Sequence, residues 1–301
     1  EIPIHAPKAA AQHAPGQFYR LQNDETHAKC HHNTRMQSEP LAMTAFDVDR
    51  EKGTLRFMIM NVGTSSNIVS NLNTGDPIAL MGPTGVRSKI PEDQQTILIA
   101  GHALSLSYLR AVAPALKAAG NRVIYIAEFE TASQCYCLDD IIACTDLCIF
   151  TTNDNTTIPL KRKQDQCMPG NVIDAILSLS NDPDQSLADL DRITLIGNPA
   201  LLKSFQKARA EHFGPSLKPS IKVFASAYAN MQCMLKGGCA QCLQWQIDPE
   251  TGERKKAVFT CSWQDQPIEL IDIDNLKDRQ AQNKATETLS RLYLSGLDAI
   301  K

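Results

Sequence analysis

The chain has 301 residues, of which 43% are hydrophobic and 21% are charged, a composition typical of a globular protein with room for two or three modules. Its formal net charge of −3 is close to neutral, and the sequence shows no basic stripe with interleaved aromatic residues. No apolar run approaches the roughly 20 residues that a membrane helix needs. We therefore expect neither nucleic acid nor a membrane among its partners.

Short strands separated by turns dominate residues 1–92. Strands are predicted over residues 18–21, 42–48, 54–62 and 77–81. The polar, glycine-containing stretches 49–53 and 73–76 are predicted to be turns. Many short strands with regular turn signals indicate a small antiparallel β barrel, to which we assign residues 1–92.

Strands alternate with helices over residues 93–228. The predicted strands span residues 96–100, 122–127, 147–151 and 193–196. The predicted helices span residues 104–119, 137–142, 171–180 and 199–212. This alternation indicates an α/β domain with a parallel sheet and right-handed crossovers. Ligands of such sheets bind beyond the carboxyl ends of the strands, here near Gly101, Glu128, Thr152 and Gly197.

Four cysteines near the end of the chain form its most specific motif. Cys233, Cys239, Cys242 and Cys261 read C-x5-C-x2-C-x18-C. The plant-type [2Fe-2S] arrangement, C-x4-C-x2-C with a distant fourth thiolate, differs from it by one residue. Four thiolates also suit tetrahedral zinc, but a zinc ribbon usually pairs two C-x2-C knuckles and this motif has one. The spacing favours a [2Fe-2S] cluster loop at residues 229–265 over zinc or free thiols.

The other cysteines carry no predicted chemistry. Cys135, Cys137, Cys144, Cys148 and Cys167 lie in or beside apolar segments, where cysteine behaves as a small hydrophobic residue. Ten cysteines without a signal peptide are typical of the reducing cytosol, so we expect a cytoplasmic protein. The chain opens at Glu1 rather than at a methionine, which is typical of a fragment of a longer polypeptide.

Residues 266–301 form a C-terminal tail. Within it, residues 276–295 are predicted to be one charged amphipathic helix with Leu276, Leu289, Leu292 and Tyr293 among its apolar positions. Such a terminal helix docks either on its own domain or on a partner, and the sequence leaves both open.

The order of barrel, α/β domain and cysteine loop, together with short motifs, resembles a known family. The motifs are Pro15-Gly16-Gln17-Phe18, Gly75-Asp76, Gly82-Pro83-Thr84-Gly85, Gly197-Asn198-Pro199 and the cysteine loop. The chain is similar over nearly its whole length to ferredoxin-reductase-like iron-sulfur flavoproteins. These include the electron-transfer subunit of NAD-linked dihydroorotate dehydrogenase and segments of glutamate-synthase-type flavin oxidoreductases.

The resemblance implies FAD in the barrel. The flavin motif of the family falls on Leu41-Ala42-Met43-Thr44, where Thr44 offers a hydroxyl group to a phosphate and Leu41 stands in place of an arginine. Met58-Ile59-Met60 would line the isoalloxazine ring. Gly63-Thr64-Ser65-Ser66 would offer amides and hydroxyls to the diphosphate, the alternative being a plain polar loop.

The resemblance also implies NAD(P)H at the α/β domain, where the chain departs from the family. Gly101 is the one glycine left of a Gly-Gly-x-Gly turn, and His102 occupies the crowded second position, where it would cap the helix or block the site. In the family the cluster passes single electrons to a partner subunit.

We interpret the chain as an electron-transfer oxidoreductase module that uses FAD and a [2Fe-2S] cluster. Its expected partner is another redox subunit or a fused flavoprotein domain, and we expect the chain to be part of a hetero- or homo-oligomer. No residue is assigned an acid-base role, because hydride chemistry belongs to the cofactor. The alternative is a degenerate reductase-like scaffold or relay subunit that keeps only the metal or cluster site and binds no nucleotide.

Overall fold

A computed structural model of the protein describes residues 1–31, 33–61, 63–135, 137–181, 186–227, 242–282 and 284–298. The first 92 residues contain β1 (Ile2–His5), β2 (Phe18–Asn23), β3 (Cys30–His31), β4 (Thr34–Arg35), β5 (Leu41–Asp49), β6 (Thr54–Phe57) and β7 (Ile78–Thr84). In the described part of this region, five strands form one antiparallel sheet in the order β1-β6-β5-β2-β7.

The half-barrel formed by this sheet has an apolar interior. Tyr19, Leu21, Leu55 and Phe57 are fully buried in it, at alternate positions of β2 and β6. The two-residue period of a strand places such positions on one face, so the sequence pattern predicted these strands correctly.

The half-barrel differs from the sequence prediction in two places. Helices α1 (Pro7–Gln12) and α2 (Thr64–Ser70) lie where only strands and turns were predicted. Strand β6 ends at Phe57 rather than near residue 62, because Met58 leaves the barrel interior and packs against the core of the following sheet. The segment that begins at Gly63 is therefore the start of a helix and not a plain polar loop.

The second sheet is parallel except at one edge. Its strands are β8 (Thr96–His102), β9 (Arg122–Phe129), β10 (Leu147–Thr152), β11 (Gln166–Met168), β12 (Arg192–Gly197), β13 (Lys222–Ala227) and, after the hairpin described below, β16 (Gln266–Pro267). Their order within the described residues is β11-β10-β9-β8-β12-β13-β16, with β16 antiparallel. The alternation of strands and helices predicted the parallel sheet and its strands β8, β9, β10 and β12 correctly, whereas β11, β13 and β16 were not predicted.

Helices cover both faces of the parallel sheet. They are α3 (Ser105–Ala118), α4 (Leu138–Ala143), α5 (Val172–Ser178) and α6 (Pro199–Ala208). Helices α3 and α4 pack on one face, and α5 and α6 pack on the other. Because both faces are buried, the central strands read as continuous apolar runs.

Helix α3 joins the two sheets. Its Arg110 places Nη2 3.6 Å from Asp47 Oδ1 of β5 and 3.6 Å from Asp140 Oδ1 of α4. The half-barrel and the parallel sheet therefore share an interface that includes charged as well as apolar contacts.

The C-terminal region adds a hairpin and two helices to the described structure. Its elements are β14 (Leu243–Ile247), β15 (Arg254–Phe259), α7 (Ile273–Ala281) and α8 (Lys284–Asp298). The single helix predicted over residues 276–295 is thus wrong. Leu276 of α7 is 4% exposed, whereas Leu289 and Leu292 of α8 are 67% and 59% exposed, so the two helices pack differently. None of the helices in the described ranges is long and apolar enough to cross a membrane.

Candidate functional site

The hairpin β14–β15 brings together the last two cysteines of the motif. Cys242 directly precedes β14 and Cys261 follows β15, and the Thr260 N–H donates to the Cys242 carbonyl oxygen at 3.0 Å. Cys242 is 8% exposed and Cys261 is partly exposed. The open end of the hairpin therefore holds two of the four predicted ligands.

The remaining two ligand candidates, Cys233 and Cys239, lie outside the described residues. Across the described ranges, no group of three or more His, Cys, Asp or Glu side chains is placed to hold a metal ion. The donor chemistry of the pair that is described, two cysteine sulfurs at one hairpin end, suits either iron or zinc.

The hairpin is fixed to the exit of the half-barrel. The Val86 N–H donates to the Cys261 carbonyl oxygen at 3.1 Å. At the neighbouring Gly85, which has φ +84°, an added Cβ would lie 2.7 Å from the ring of Phe18 and 2.9 Å from Gln264 Nε2. The backbone after β7, the first residue of β2 and the segment after Cys261 are therefore in close contact, and only a residue without a side chain fits between them.

A buried ion pair connects the same segment to the parallel sheet. Arg192 Nη2 lies 3.3 Å from Asp265 Oδ2, and the Tyr108 hydroxyl donates to that oxygen at 3.0 Å. Burial raises the pKa of the Asp265 carboxyl, while the Arg192 charge and the Tyr108 hydrogen bond act in the opposite direction. The guanidinium of Arg192 also stacks on Phe224 at 4.5 Å.

Residues 41–44 occupy the first half of β5, and the strand register separates them. Leu41 pairs with Leu21 and Met43 with Tyr19, both of which line the barrel interior. Ala42 pairs with Arg20 and Thr44 pairs with Phe18. Because alternate residues of a strand face opposite sides, Leu41 and Thr44 lie on opposite faces and the structure does not bring them together.

Arg20 is a residue that the sequence interpretation missed. It lies opposite Ala42, and its Nε is buried without a hydrogen bond. Its Nη2 donates to Gln22 Oε1 at 3.0 Å, and Gln22 Nε2 donates to the carbonyl oxygen of Ser38 at 2.7 Å. The signal that could have revealed Arg20 is its place on the strand face opposite to Tyr19 and Leu21.

The predicted diphosphate segment forms the N-terminal turn of α2. The Gly63 N–H donates to Ser66 Oγ at 2.9 Å, and Ser65 Oγ accepts from the Glu39 N–H at 2.9 Å. Thr64 Oγ1 is buried and makes no hydrogen bond. At this turn, therefore, the Thr64 hydroxyl has no hydrogen-bond partner, whereas the hydroxyls of Ser65 and Ser66 are hydrogen-bonded to backbone N–H groups.

Helix α8 places an acidic side chain at this turn. A Cβ added to Gly63 would lie 2.9 Å from Glu287 Oε2. Burial and the nearby Glu287 carboxylate raise the pKa of Glu39. A second negative group at this turn would be repelled by Glu287 as the structure stands.

The segment predicted to line the isoalloxazine leaves the half-barrel after β6. Met58 is partly buried and packs against the core of the parallel sheet, Ile59 is also partly buried, and Met60 is 40% exposed. Residues 58–60 therefore run along the junction of the two sheets.

Packing accounts for the glycine at position 101. An added Cβ would overlap the carbonyl oxygen of Ile196 in the neighbouring strand and lie 2.8 Å from Ser105 Cβ. His102 Nε2 lies 3.9 Å from Glu128 Oε2, and that oxygen accepts from the Val172 N–H at the start of α5. Helix α3 has no side-chain cap, so His102 does not cap it.

The cysteines predicted to be structural are mostly buried. Cys135, Cys137, Cys144 and Cys148 are at most 9% exposed, and Cys167 is partly exposed. Burial raises the pKa of Cys135 and of Cys148 to about 12. Thiols of this kind remain protonated at neutral pH and are poor nucleophiles.

Comparisons with known proteins agree with the fold. No family model matches the chain. An uncharacterised protein of Rickettsia prowazekii is 28% identical over 290 residues, which cover 96% of this chain and 31% of that protein, so the chain spans about a third of its length. The electron transfer subunit homolog of dihydroorotate dehydrogenase B (NAD(+)) of Thermotoga maritima is 25% identical over 291 residues, covering 95% of this chain and 88% of its own. The electron transfer subunit of the Streptococcus pneumoniae enzyme is 24% identical over 78% of this chain and 79% of its own.

Solved structures share the arrangement of the two sheets. A chain from an NADH-dependent reduced ferredoxin-NADP oxidoreductase, solved in a study of flavin-based electron bifurcation, matches 97% of this chain with 91% of its own at a TM-score of 0.74 and 21% identity. The ferredoxin reductase in carbazole 1,9a-dioxygenase matches 72% of this chain with 60% of its own at a TM-score of 0.50 and 17% identity. The fold and the resemblance inferred from the sequence are confirmed.

Proposed function

We propose that this chain of the ferredoxin-reductase-like family is an electron-transfer module of a flavin oxidoreductase, which passes electrons between FAD in the half-barrel and a [2Fe-2S] cluster on Cys233, Cys239, Cys242 and Cys261. Its partner is another flavoprotein subunit or a fused domain. The observation that carries the proposal is the position of Cys242 and Cys261 at one hairpin end that is hydrogen-bonded to the barrel exit.

The surroundings of the two described cysteines suit a redox centre. Cys261 is partly exposed and has no disulfide partner within the described residues, and Cys242 lies in a buried position that keeps water away. When bound, FAD supplies two-electron hydride chemistry and a [2Fe-2S] centre supplies one-electron transfer. The Val86 hydrogen bond fixes the distance between the Cys261 backbone and the half-barrel.

Two unsatisfied polar groups support a flavin site in the half-barrel. Thr64 Oγ1 and Arg20 Nε are both buried without a hydrogen bond. Leaving such a group without a partner costs about 1–3 kcal/mol, so each is suited to a ligand oxygen. We infer that Arg20 provides the positive charge that Leu41 cannot provide, and that Thr64 rather than Thr44 provides the hydroxyl beside it.

A second candidate function is the relay or scaffold subunit that binds no nucleotide. Two carboxylates favour it, because Glu287 lies beside Gly63 and Glu128 lies beside His102. Each would repel the phosphates of a nucleotide at these positions.

One preparation distinguishes the two functions. The protein is purified without oxygen, and its absorption spectrum, flavin content, iron and acid-labile sulfide are measured before titration with NADH and NADPH. Flavin together with iron and sulfide supports the first function. Loss of the flavin bands during the titration would show in addition that NADH or NADPH reduces the flavin. Iron and sulfide without flavin support the second function, and a colourless protein with zinc contradicts electron transfer by either.

Substitution of a described ligand tests the cysteine assignment. We expect Cys261→Ser to lose most of its iron and sulfide, because a serine oxygen is a weaker ligand for this kind of cluster. Cys167→Ser is the matched control, since Cys167 is also partly exposed and lies outside the motif. Full iron and sulfide in Cys261→Ser, or equal losses in the two variants, would contradict the assignment.

A further inference from the structure

Buried glutamines lie beside Cys242. Gln244, Gln246 and Gln266 are 3%, 2% and 1% exposed. Along β14 these buried residues alternate with Trp245, which is 36% exposed, and Cys242 continues the buried set at 8%. The period of a strand therefore places Cys242, Gln244 and Gln246 on one face of the hairpin.

Hydrogen bonds between the glutamine amides run in one direction. Gln246 Nε2 donates to Gln266 Oε1 at 2.9 Å, and Gln266 Nε2 donates to Gln244 Oε1 at 2.8 Å. The series ends at Gln244 Nε2, which is buried and makes no hydrogen bond. Because its oxygen is held by Gln266, the amide of Gln244 is oriented with its donor end free.

An unused donor at this depth requires an explanation. A buried donor without a partner destabilises the folded state, and few are found in folded proteins. Neighbouring positions on the same strand face are about 6.6 Å apart, since each residue of a strand rises about 3.3 Å. A glutamine side chain can span that separation, so the free donor of Gln244 is within reach of a group bound at Cys242.

We propose that Gln244 donates a hydrogen bond from Nε2 to a sulfur atom of the [2Fe-2S] cluster at Cys242 and thereby raises the reduction potential of the cluster. This inference rests on the proposed function, because it requires the cluster. One-electron reduction adds a negative charge to the cluster, so a nearby donor stabilises the reduced state more than the oxidised state. Gln266 and Gln246 are positioning residues that hold the Gln244 amide.

Matched substitutions on the same strand face test the potential. The variants are Gln244→Leu and, for comparison, Gln246→Leu, which also removes a buried amide but lies farther from Cys242. We expect Gln244→Leu to lower the equilibrium constant for one-electron reduction about tenfold, which is about 59 mV for a one-electron couple. Gln246→Leu leaves the hydrogen bond from Gln266 to Gln244 in place, and it is expected to lower the potential by less than Gln244→Leu does. Both potentials are measured by redox titration followed by electron paramagnetic resonance.

A measurement on the wild-type chain makes the inference independent of whether the leucine variant assembles its cluster. The protein is produced with glutamine that carries ¹⁵N only at the side-chain amide, and pulsed electron paramagnetic resonance is recorded on the reduced cluster. We expect a weak coupling to one amide nitrogen, and this coupling is absent from Gln244→Leu. A water molecule between the amide and the cluster would leave this nitrogen uncoupled.

The outcomes separate this inference from the proposed function. A wild-type protein with no iron or sulfide overturns the proposed function and this inference with it. A wild-type cluster with no amide nitrogen coupling, or an unchanged potential in Gln244→Leu, overturns this inference alone. If Gln244→Leu fails to hold a cluster, the amide nitrogen coupling in the wild-type protein tests the inference: its presence supports the hydrogen bond, and its absence overturns it.

Discussion

Arg20 is a partly buried cation on the strand next to residues 41–44. Its guanidinium lies on the face of the sheet opposite to the apolar interior, and Nε has no hydrogen-bond partner. Gln22 and the carbonyl oxygen of Ser38 connect it by hydrogen bonds to the chain just before Glu39, whose N–H is bonded to α2. We infer that the positive charge of Arg20 on β2 acts at the N-terminal turn of α2, in place of an arginine at position 41 on β5.

We expect Arg20→Met to weaken FAD binding about tenfold to a hundredfold. The reason is that a hydrogen bond to a charged group contributes about 1.5–3 kcal/mol. The affinity is measured by titrating flavin-free protein with FAD and following flavin fluorescence. Arg35→Met, at an exposed position on β4, is the control and is expected to bind FAD as the wild type does. Equal affinity of the two variants would remove Arg20 from the flavin site.

His13 makes the half-barrel sensitive to acid. Its Nδ1 lies 3.0 Å from the Tyr19 hydroxyl in the barrel interior. Burial lowers the pKa of His13 to about 4, and the Arg50 charge acts in the same direction. The unfolded chain takes up a proton at His13 near pH 6.5, whereas the folded chain does not until about pH 4. Stability therefore falls as the pH drops through this window.

We expect His13→Gln to reduce this acid sensitivity. The free energy of unfolding is measured with urea at pH 7, 6 and 5 for the wild type and the variant. The wild type should lose more stability than the variant between pH 7 and pH 5, because glutamine does not titrate. Parallel losses in the two proteins would show that His13 is not the source of the effect.

At the scale of elements, helix α8 is the unexpected one. Its Leu289, Leu292 and Tyr293 are more than half exposed, at 67%, 59% and 53%, while its Glu287 lies beside Gly63 at the start of α2. The helix therefore places a charged residue at the half-barrel and leaves these three apolar residues in solvent. As placed, it opposes an anionic ligand at α2.

Removing the Glu287 charge should help FAD to bind. We expect Glu287→Gln to raise the affinity about fivefold, the effect of about 1 kcal/mol of charge repulsion at a partly exposed site. The measurement is the same fluorescence titration. Glu250→Gln, in the exposed turn of the β14–β15 hairpin, removes an equal charge far along the chain and should have no effect. No gain from Glu287→Gln would mean that α8 leaves the turn when FAD binds.

The elements that the sequence predicted well are those with a strong hydrophobic period. The apolar runs of β8, β9, β10 and β12 are buried on both faces, so they could be recognised without knowledge of their neighbours. Helix α2 was missed because its sequence, TSSNIVS, is rich in residues with low helix propensity, and the fold rather than the propensity stabilises it.

The site was predictable in part. The cysteine motif is local in sequence, and its last two members do meet in the structure. The faces occupied by Leu41 and Thr44 followed from the alternation of a strand and could have been inferred. The orientation of Gln244 by Gln266 and the position of Glu287 beside Gly63 could not, because each depends on a residue distant in sequence.

At the scale of the whole molecule, the pair of Arg192 and Asp265 connects the C-terminal segment to the parallel sheet. The two side chains are 10% and 15% exposed, and Tyr108 of α3 donates to the same carboxylate oxygen. Asp265 Oδ1 is buried without a hydrogen bond. The buried Asp265 carboxylate destabilises the fold unless the Arg192 charge lies beside it.

We expect Arg192→Met to lower the free energy of unfolding by about 3–5 kcal/mol, because it leaves the Asp265 carboxylate buried without a counter-charge. The double variant Arg192→Met with Asp265→Asn should recover part of the loss, since it removes both charges. Urea unfolding of the single and double variants measures the difference. A double variant less stable than Arg192→Met would show that the carboxylate stabilises the fold by another route.

The stretch from Cys261 to Asp265 has one end hydrogen-bonded to Val86 of the half-barrel and the other paired with Arg192 of the parallel sheet. Even fully extended, the four Cα-to-Cα steps of this five-residue stretch span no more than about 14 Å. The stretch therefore acts as a short tether between the two sheets. Any separation of the two sheets at this point beyond that length would have to break one of these bonds. The position of a redox centre at Cys261 would thus depend on how the half-barrel and the parallel sheet are oriented relative to each other.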